Sequence, residues 1–90
     1  MATAHGARAR QRVTAMLQVD LQESDQQISR FITDQCARFG NVVSVKIVRS
    51  LVSFALVQMA HELQTFEVAG RFGGSVFGIA AVIHLEQTRE

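Results

Sequence analysis

Phe39-Gly40-Asn41-Val42-Val43-Ser44-Val45-Lys46-Ile47-Val48 is the stretch on which the fold turns, because the period of its apolar residues changes at Gly40. Upstream, Ile28, Phe31, Ile32, Cys36 and Phe39 recur at three- and four-residue steps, the spacing of one buried helix face. Ser24-Asp25-Gln26-Gln27 supplies the start: Ser24 can accept from the first free backbone amides and Gln27 can reach back to form a capping box. Gly40 stands where a left-handed helix terminator is wanted. Arg30, Asp34 and Arg38, four residues apart, make the solvated side of the helix. Downstream of Gly40 the period becomes two, with Val43, Val45 and Ile47 on one side and Ser44, Lys46 and Val48 on the other, which predicts a strand.

Only Arg49 and Ser50 separate this strand from Leu51–Met59, a β-branched and aromatic run, so a tight hairpin and a third strand are expected. Before the helix, Val13, Ala15, Leu17, Val19 and Leu21 alternate with Thr14, Met16, Gln18 and Asp20, the mark of a half-buried first strand. After the hairpin, Leu63, Phe66 and Ala69 at helical spacing predict a short second helix over Ala60–Ala69, ending at Gly70. Gly73, Gly74 and Gly78 mark turns around Val76 and Phe77, and Ile79–Leu85 reads as the last strand with Ala81, Ile83 and Leu85 on one face. The order βαββαβ predicts an α+β fold: a ferredoxin-like sandwich, its four-stranded antiparallel sheet covered on one face by both helices.

Composition sets the bounds. Ninety residues, 48% of them hydrophobic, suit one domain with a packed core. We place a basic N-terminal tail at residues 1–12, the domain at 13–86 and a short C-terminal tail at 87–90. A net charge of +1 is unlike a protein that depends on neutralising many phosphates. The basic cluster is Arg8, Arg10 and Arg12, ahead of the first apolar run. The absence of any acid before Asp20 resembles a mitochondrial presequence, but the run lacks serines and merges into a strand, so a basic tail is the simpler account. No apolar stretch approaches the roughly 18 residues that span a bilayer, and a soluble intracellular protein without membrane contact is expected. The lone Cys36 excludes a disulfide framework and reads as a buried helix residue.

Catalytic and metal-binding patterns are missing. His5, His61 and His84 are widely separated, and no pair has ligand spacing with a third ligand nearby. The glycines lack the Gly-Lys-Ser/Thr ending of a phosphate loop. Cys36 and His61 are no nucleophile pair, because Cys36 lies on the apolar helix face. The expectation is a non-enzymatic protein without metal or cofactor.

The segment Phe39–Val48 resembles the helix-one to strand-two junction of RNA recognition motif (RRM) domains, and Gly74-Ser75-Val76-Phe77-Gly78 is similar to their turn before the last strand. The likeness covers about Val13 to Glu86. In that family bases stack on aromatic residues of two strand motifs, an octamer on strand three and a hexamer on strand one. By this resemblance Phe54 keeps one stacking aromatic, Leu56 replaces the second, Val52 stands where a cation is usual, and Met16 holds the aromatic slot of the hexamer. A stacked base is worth roughly 1–3 kcal/mol, so the resemblance implies weak RNA binding at most.

The open face would instead present Met16, Val48, Val52, Phe54, Leu56 and Val82 beside Gln18, Gln58, Ser44, Lys46 and His84, an apolar patch with a polar rim that suits a protein partner or a second copy. Ile32–Gly40 is further similar to helix one of the splicing-factor homology-motif RRMs, and Gly70-Arg71-Phe72-Gly73-Gly74 to their Arg-x-Phe loop. That likeness implies that Arg71 and Phe72 clamp a peptide tryptophan while Asp34 meets its basic neighbours, although no residue separates Arg71 from Phe72 and Gln35 stands where a second acid is usual. The plain alternative is that Phe72 packs the core edge.

The leading expectation is an interaction module of RNA-processing machinery, in pre-mRNA splicing by this resemblance and therefore nuclear. One alternative is a single-stranded RNA binder using Phe54, Lys46 and the N-terminal arginines. Another is a small-ligand regulatory domain of the ACT type, which shares the βαββαβ order but usually has a glycine where Leu21-Gln22-Glu23-Ser24 has none.

Overall fold

The computed structural model describes residues 16–88. Along the chain run β1 (Leu17–Val19), α1 (Asp25–Cys36) with a 3-10 turn (Ala37–Phe39), β2 (Val42–Val48), β3 (Phe54–Met59), α2 (Glu62–Arg71), β4 (Ser75–Phe77) and β5 (Ala80–Gln87). The first helix begins where its capping signal puts it: Ser24 Oγ accepts from the Gln27 amide at 3.1 Å, and Gln27 Oε1 accepts from the Ser24 amide at 3.1 Å. Ile28, Ile32 and Cys36 are its buried stripe. Its end differs from expectation: Gly40 has φ 142° and ψ −165°, an extended mirror-image conformation rather than a left-handed helical one. The absence of a Cβ there leaves room for the Gln64 carboxamide.

The second helix is rotated from the reading of its sequence. Thr65, Val68 and Ala69 face the core, followed by Phe72, whereas Leu63 and Phe66 are 76% and 49% exposed. Both stripes have helical spacing, so periodicity alone allowed either phase. Val68 and Ala69 are small enough for close approach to the sheet, and the buried Thr65 hydroxyl is satisfied by accepting from the Met59 amide at 3.3 Å.

The sheet corrects the expectation of four antiparallel strands. Among the described residues it has five strands in the order β1-β5-β3-β2, with β4 also paired to β5, and it is mixed: β1 runs parallel to β5 while the other pairs are antiparallel. A ferredoxin-like sheet would place the first strand beside the third; here the last strand takes that inner place. The physical reason lies in length and polarity. β5 spans eight residues, with Ala81, Ile83 and Leu85 buried, and can satisfy hydrogen-bonding groups on both edges. β1 spans three and covers only Leu85–Gln87 of one edge, while β4 covers Ala80–Val82 of the same edge.

Two local departures accompany this. The β2–β3 connection is Arg49–Ser53 rather than a two-residue turn, because pairing stops at Val48 and Phe54. Leu51 and Val52, apolar enough to read as strand, are exposed loop residues. Within β2 the register shifts between Val42 and Ser44, so Val43 is an extra, exposed residue and Val42 joins Val45 and Ile47 against the core.

Both helices lie on one side of the sheet. Ile28, Ile32, Cys36, Val68, Ala69 and Phe72 share a single buried cluster with Leu17, Val19, Ala55, Val57, Ala81, Ile83 and Leu85. Arg49 ties the β1–α1 loop to the end of β2: its Nε donates to Asp25 Oδ1 at 2.8 Å, Nη1 to the Leu21 carbonyl at 2.8 Å and Nη2 to the Glu23 carbonyl at 2.9 Å. These bonds are half exposed, so Arg49→Ala is expected to cost about 1 kcal/mol. Urea denaturation checks this; a midpoint equal to that of the parent chain would show that the clamp is energetically idle.

Candidate functional site

Residues directly opposite one another in neighbouring strands point to the same side of a sheet. The register therefore builds the uncovered face row by row. Val48, Phe54 and His84 form one row, and Lys46, Leu56, Val82 and Ser75 form the next. Ser44 and Gln58 continue it toward one end. At the other end Gln18 stands opposite Glu86. Gln18, Lys46, Phe54, Leu56, Val82 and His84, singled out from the sequence as the sheet surface, are thus brought to one face, while Met16, singled out with them, precedes β1 and belongs to no strand row. No helix of the described residues lies on it, since both pack against the other side.

The face is apolar at its middle and polar around. Phe54, Leu56 and Val82 are half-buried by their neighbours, while Lys46 and His84 are exposed. Cross-strand neighbours stand about 5 Å apart, so Leu56 fills the space between Lys46 and Val82. Lys46 lies diagonal to Phe54, at about 7 Å by sheet geometry. Among the described strand residues of this face the charged side chains are Lys46 and Glu86, a balance that offers no field attractive to a polyanion. Val52 belongs to the β2–β3 loop and not to a strand row.

The other sequence candidates are not brought together as a clamp. Phe72 is 9% exposed and part of the core cluster. Arg71 is the exposed last residue of α2, its guanidinium carbon 5.6 Å from the Phe72 ring centre, close enough for a cation–π contact. Asp34 is exposed on α1. Arg8, Arg10 and Arg12 lie outside the described residues. Cys36 is buried, and desolvation pushes its thiol up to about 11, which keeps it protonated and inert at neutral pH. No cluster of metal-ligating side chains occurs among the described residues, and no described helix is long and apolar enough to cross a membrane.

Beyond Val43 and Leu51, sequence reasoning missed five exposed apolar side chains: Phe31, expected on the buried stripe of α1 but 41% exposed, and Leu63, Phe66, Phe77 and Ile79. Phe77, two residues from Ser75, has the parity of the uncovered face and extends its apolar area. Its signal was present in Gly74–Gly78, where two apolar residues between glycines read as turn but pair with β5 as a hairpin strand.

Comparison with known proteins gives no relative to set beside this geometry: no family model, no curated protein and no solved structure matches the chain.

Proposed function

We propose that this chain is a non-enzymatic interaction module, allied by its sequence to the RNA recognition motif, that engages a protein partner of RNA-processing machinery through the uncovered face of its sheet. The observation that carries this reading is the row Lys46-Leu56-Val82 beside Val48-Phe54-His84, an apolar centre with one lysine and one aromatic on a face that no described helix occupies. Apolar patches with a polar rim on small domains mark partner surfaces. An RNA platform requires several stacking aromatics and cations; here Leu56 and Met16 stand at aromatic positions of the resemblance. The affiliation itself rests on the segments Phe39–Val48 and Gly74–Gly78, and the position of β1 at the sheet margin departs from it. A role in pre-mRNA splicing and a nuclear setting belong to the same proposal.

The experiment is recovery of partners on the immobilised full chain from its own cell extract, with and without ribonuclease. Partners that survive digestion are expected; their complete loss would overturn the protein-directed reading.

A second reading, a single-stranded RNA binder, draws support from the diagonal placement of Lys46 and Phe54. Binding to a mixed single-stranded RNA, followed across salt concentrations, decides it, because each neutralised phosphate steepens the salt dependence. Weak, salt-insensitive binding is expected from the leading reading. The rival requires a steep slope and, for Phe54→Ala, a loss of roughly 1–3 kcal/mol of affinity.

A further inference from the structure

A second concave site lies on the helix side of the sheet, under β4. The cleft has a volume of 310 Å³ and is lined by Met59, Glu62, Phe66, Val76 and Ile79 among others. That is the lower end of the range of ligand sites, about 300–1,000 Å³, enough for one bulky side chain. Phe66 and Ile79 are 49% and 70% exposed at it, and Glu62 is the one charged side chain of its lining.

The strand above the cleft has a free edge. β4 pairs with β5 on one side and with no strand on the other among the described residues. Phe77 and Ala80 face each other across the two-residue turn Gly78-Ile79, in which Gly78 has φ 65° in the first central position, as in a type II′ hairpin. The pair closing such a turn exchanges both hydrogen bonds, so the next pair, Val76 with Ala81, does not, and the Val76 N–H and C=O point away from β5. The Val76 side chain meanwhile packs toward the core. A strand laid along this edge would bond to Val76 and drop alternate side chains beneath β4. The far edge of the sheet is guarded against such addition, since β2 carries a bulge at Val43 and exposes Lys46.

We propose that the β4 edge and the cleft beneath it bind an extended basic peptide, one bulky apolar side chain entering between Phe66 and Ile79 and an Arg or Lys two positions away meeting Glu62. Charge complementarity sets the second requirement: a carboxylate without a cation in the cleft lining favours a cationic neighbour of the buried side chain. The spacing follows from strand geometry, because residues two apart share a face and lie about 7 Å apart. Gln58, at the end of the uncovered face, also borders the cleft, but Leu56 and Phe54 do not line it, so the site is distinct from the centre of that face.

The test is an amide chemical-shift titration of the full chain with the capped peptide Arg-Thr-Leu-Thr-Arg, its central-Ala counterpart and its Glu-for-Arg counterpart. Saturable shifts at Glu62, Phe66, Val76 and Gly78 are expected, with new exchange protection of the Val76 amide. The central-Ala peptide should bind about tenfold more weakly, and Glu62→Lys should weaken the parent peptide roughly fivefold, the scale of an exposed ion pair. Ile79→Ser, at an exposed turn, should weaken binding with the fold intact. Shifts confined to the Phe54–Leu56 face, equal binding of the Glu-for-Arg peptide, the same shifts with a single-stranded RNA oligomer, or shifts produced by concentrating the chain alone would each overturn the assignment.

Discussion

Gly74→Ala is expected to lower stability by roughly 2–4 kcal/mol, a large share of the total for a chain of this size. The Gly74 amide donates to the Ala69 carbonyl at 2.8 Å, which closes the end of α2 and turns the chain into β4. A Cβ at this position would overlap the Val82 carbonyl oxygen and crowd the Val82 carbonyl carbon. These are backbone atoms of the central strand and cannot rotate aside, so the whole β4–β5 pairing would have to move. Thermal denaturation followed by circular dichroism should show a fall of roughly 10–25 °C. Gly70→Ala is the control: a Cβ there meets nothing within 4 Å, and a helical alanine in place of glycine should stabilise by about 0.5–1 kcal/mol. If both variants melted like the parent chain, the close approach of Gly74 to β5 would be wrong.

Leu56→Glu is expected to abolish partner capture while leaving the fold in place. Leu56 sits at the centre of the uncovered face between Lys46 and Val82, and its strand neighbours Ala55 and Val57 carry the core contacts on the other side. The new carboxylate would stand opposite Lys46, so the cost to stability should stay at about 1 kcal/mol or less. A central apolar residue of an interface is worth about 2 kcal/mol or more, which is roughly a 30-fold loss of affinity. Recovery of ribonuclease-resistant partners should therefore fall to background, with an unchanged circular dichroism spectrum. Partner recovery equal to that of the parent chain would remove the uncovered face from the proposal.

The capping box at Ser24 and Gln27 and the buried stripe Ile28, Ile32 and Cys36 were legible because every determinant lies within one helical turn of its partner. The same holds for the alternation of Ser44, Lys46 and Val48 and of Ala81, Ile83 and Leu85, which the register sets on the uncovered and the buried side of the sheet respectively. What failed depended on choices among equals. Leu63-Phe66-Ala69 and Thr65-Val68-Ala69 are both helical stripes, and only contact with β3 and β5 selects the second. Leu51 and Val52 have strand composition but no strand to pair with. The exposed Phe66 and Ile79, adjacent only in space, became a site through the turn of the β4–β5 hairpin.

Local spacing was enough to place β1, α1, β2, β3, α2 and β5 in their order along the chain, since each follows from a few neighbouring residues; β4, which reads as turn, and the outward Val43 were not legible in this way. Tertiary structure decided the order of strands in the sheet, the rotation of α2 and the cleft under β4. The strand order depends on which strand is long enough to fill two hydrogen-bonded edges at once, and the rotation of α2 on the close packing of Val68 and Ala69 against the sheet; both are settled between segments far apart in the chain, which no local pattern records.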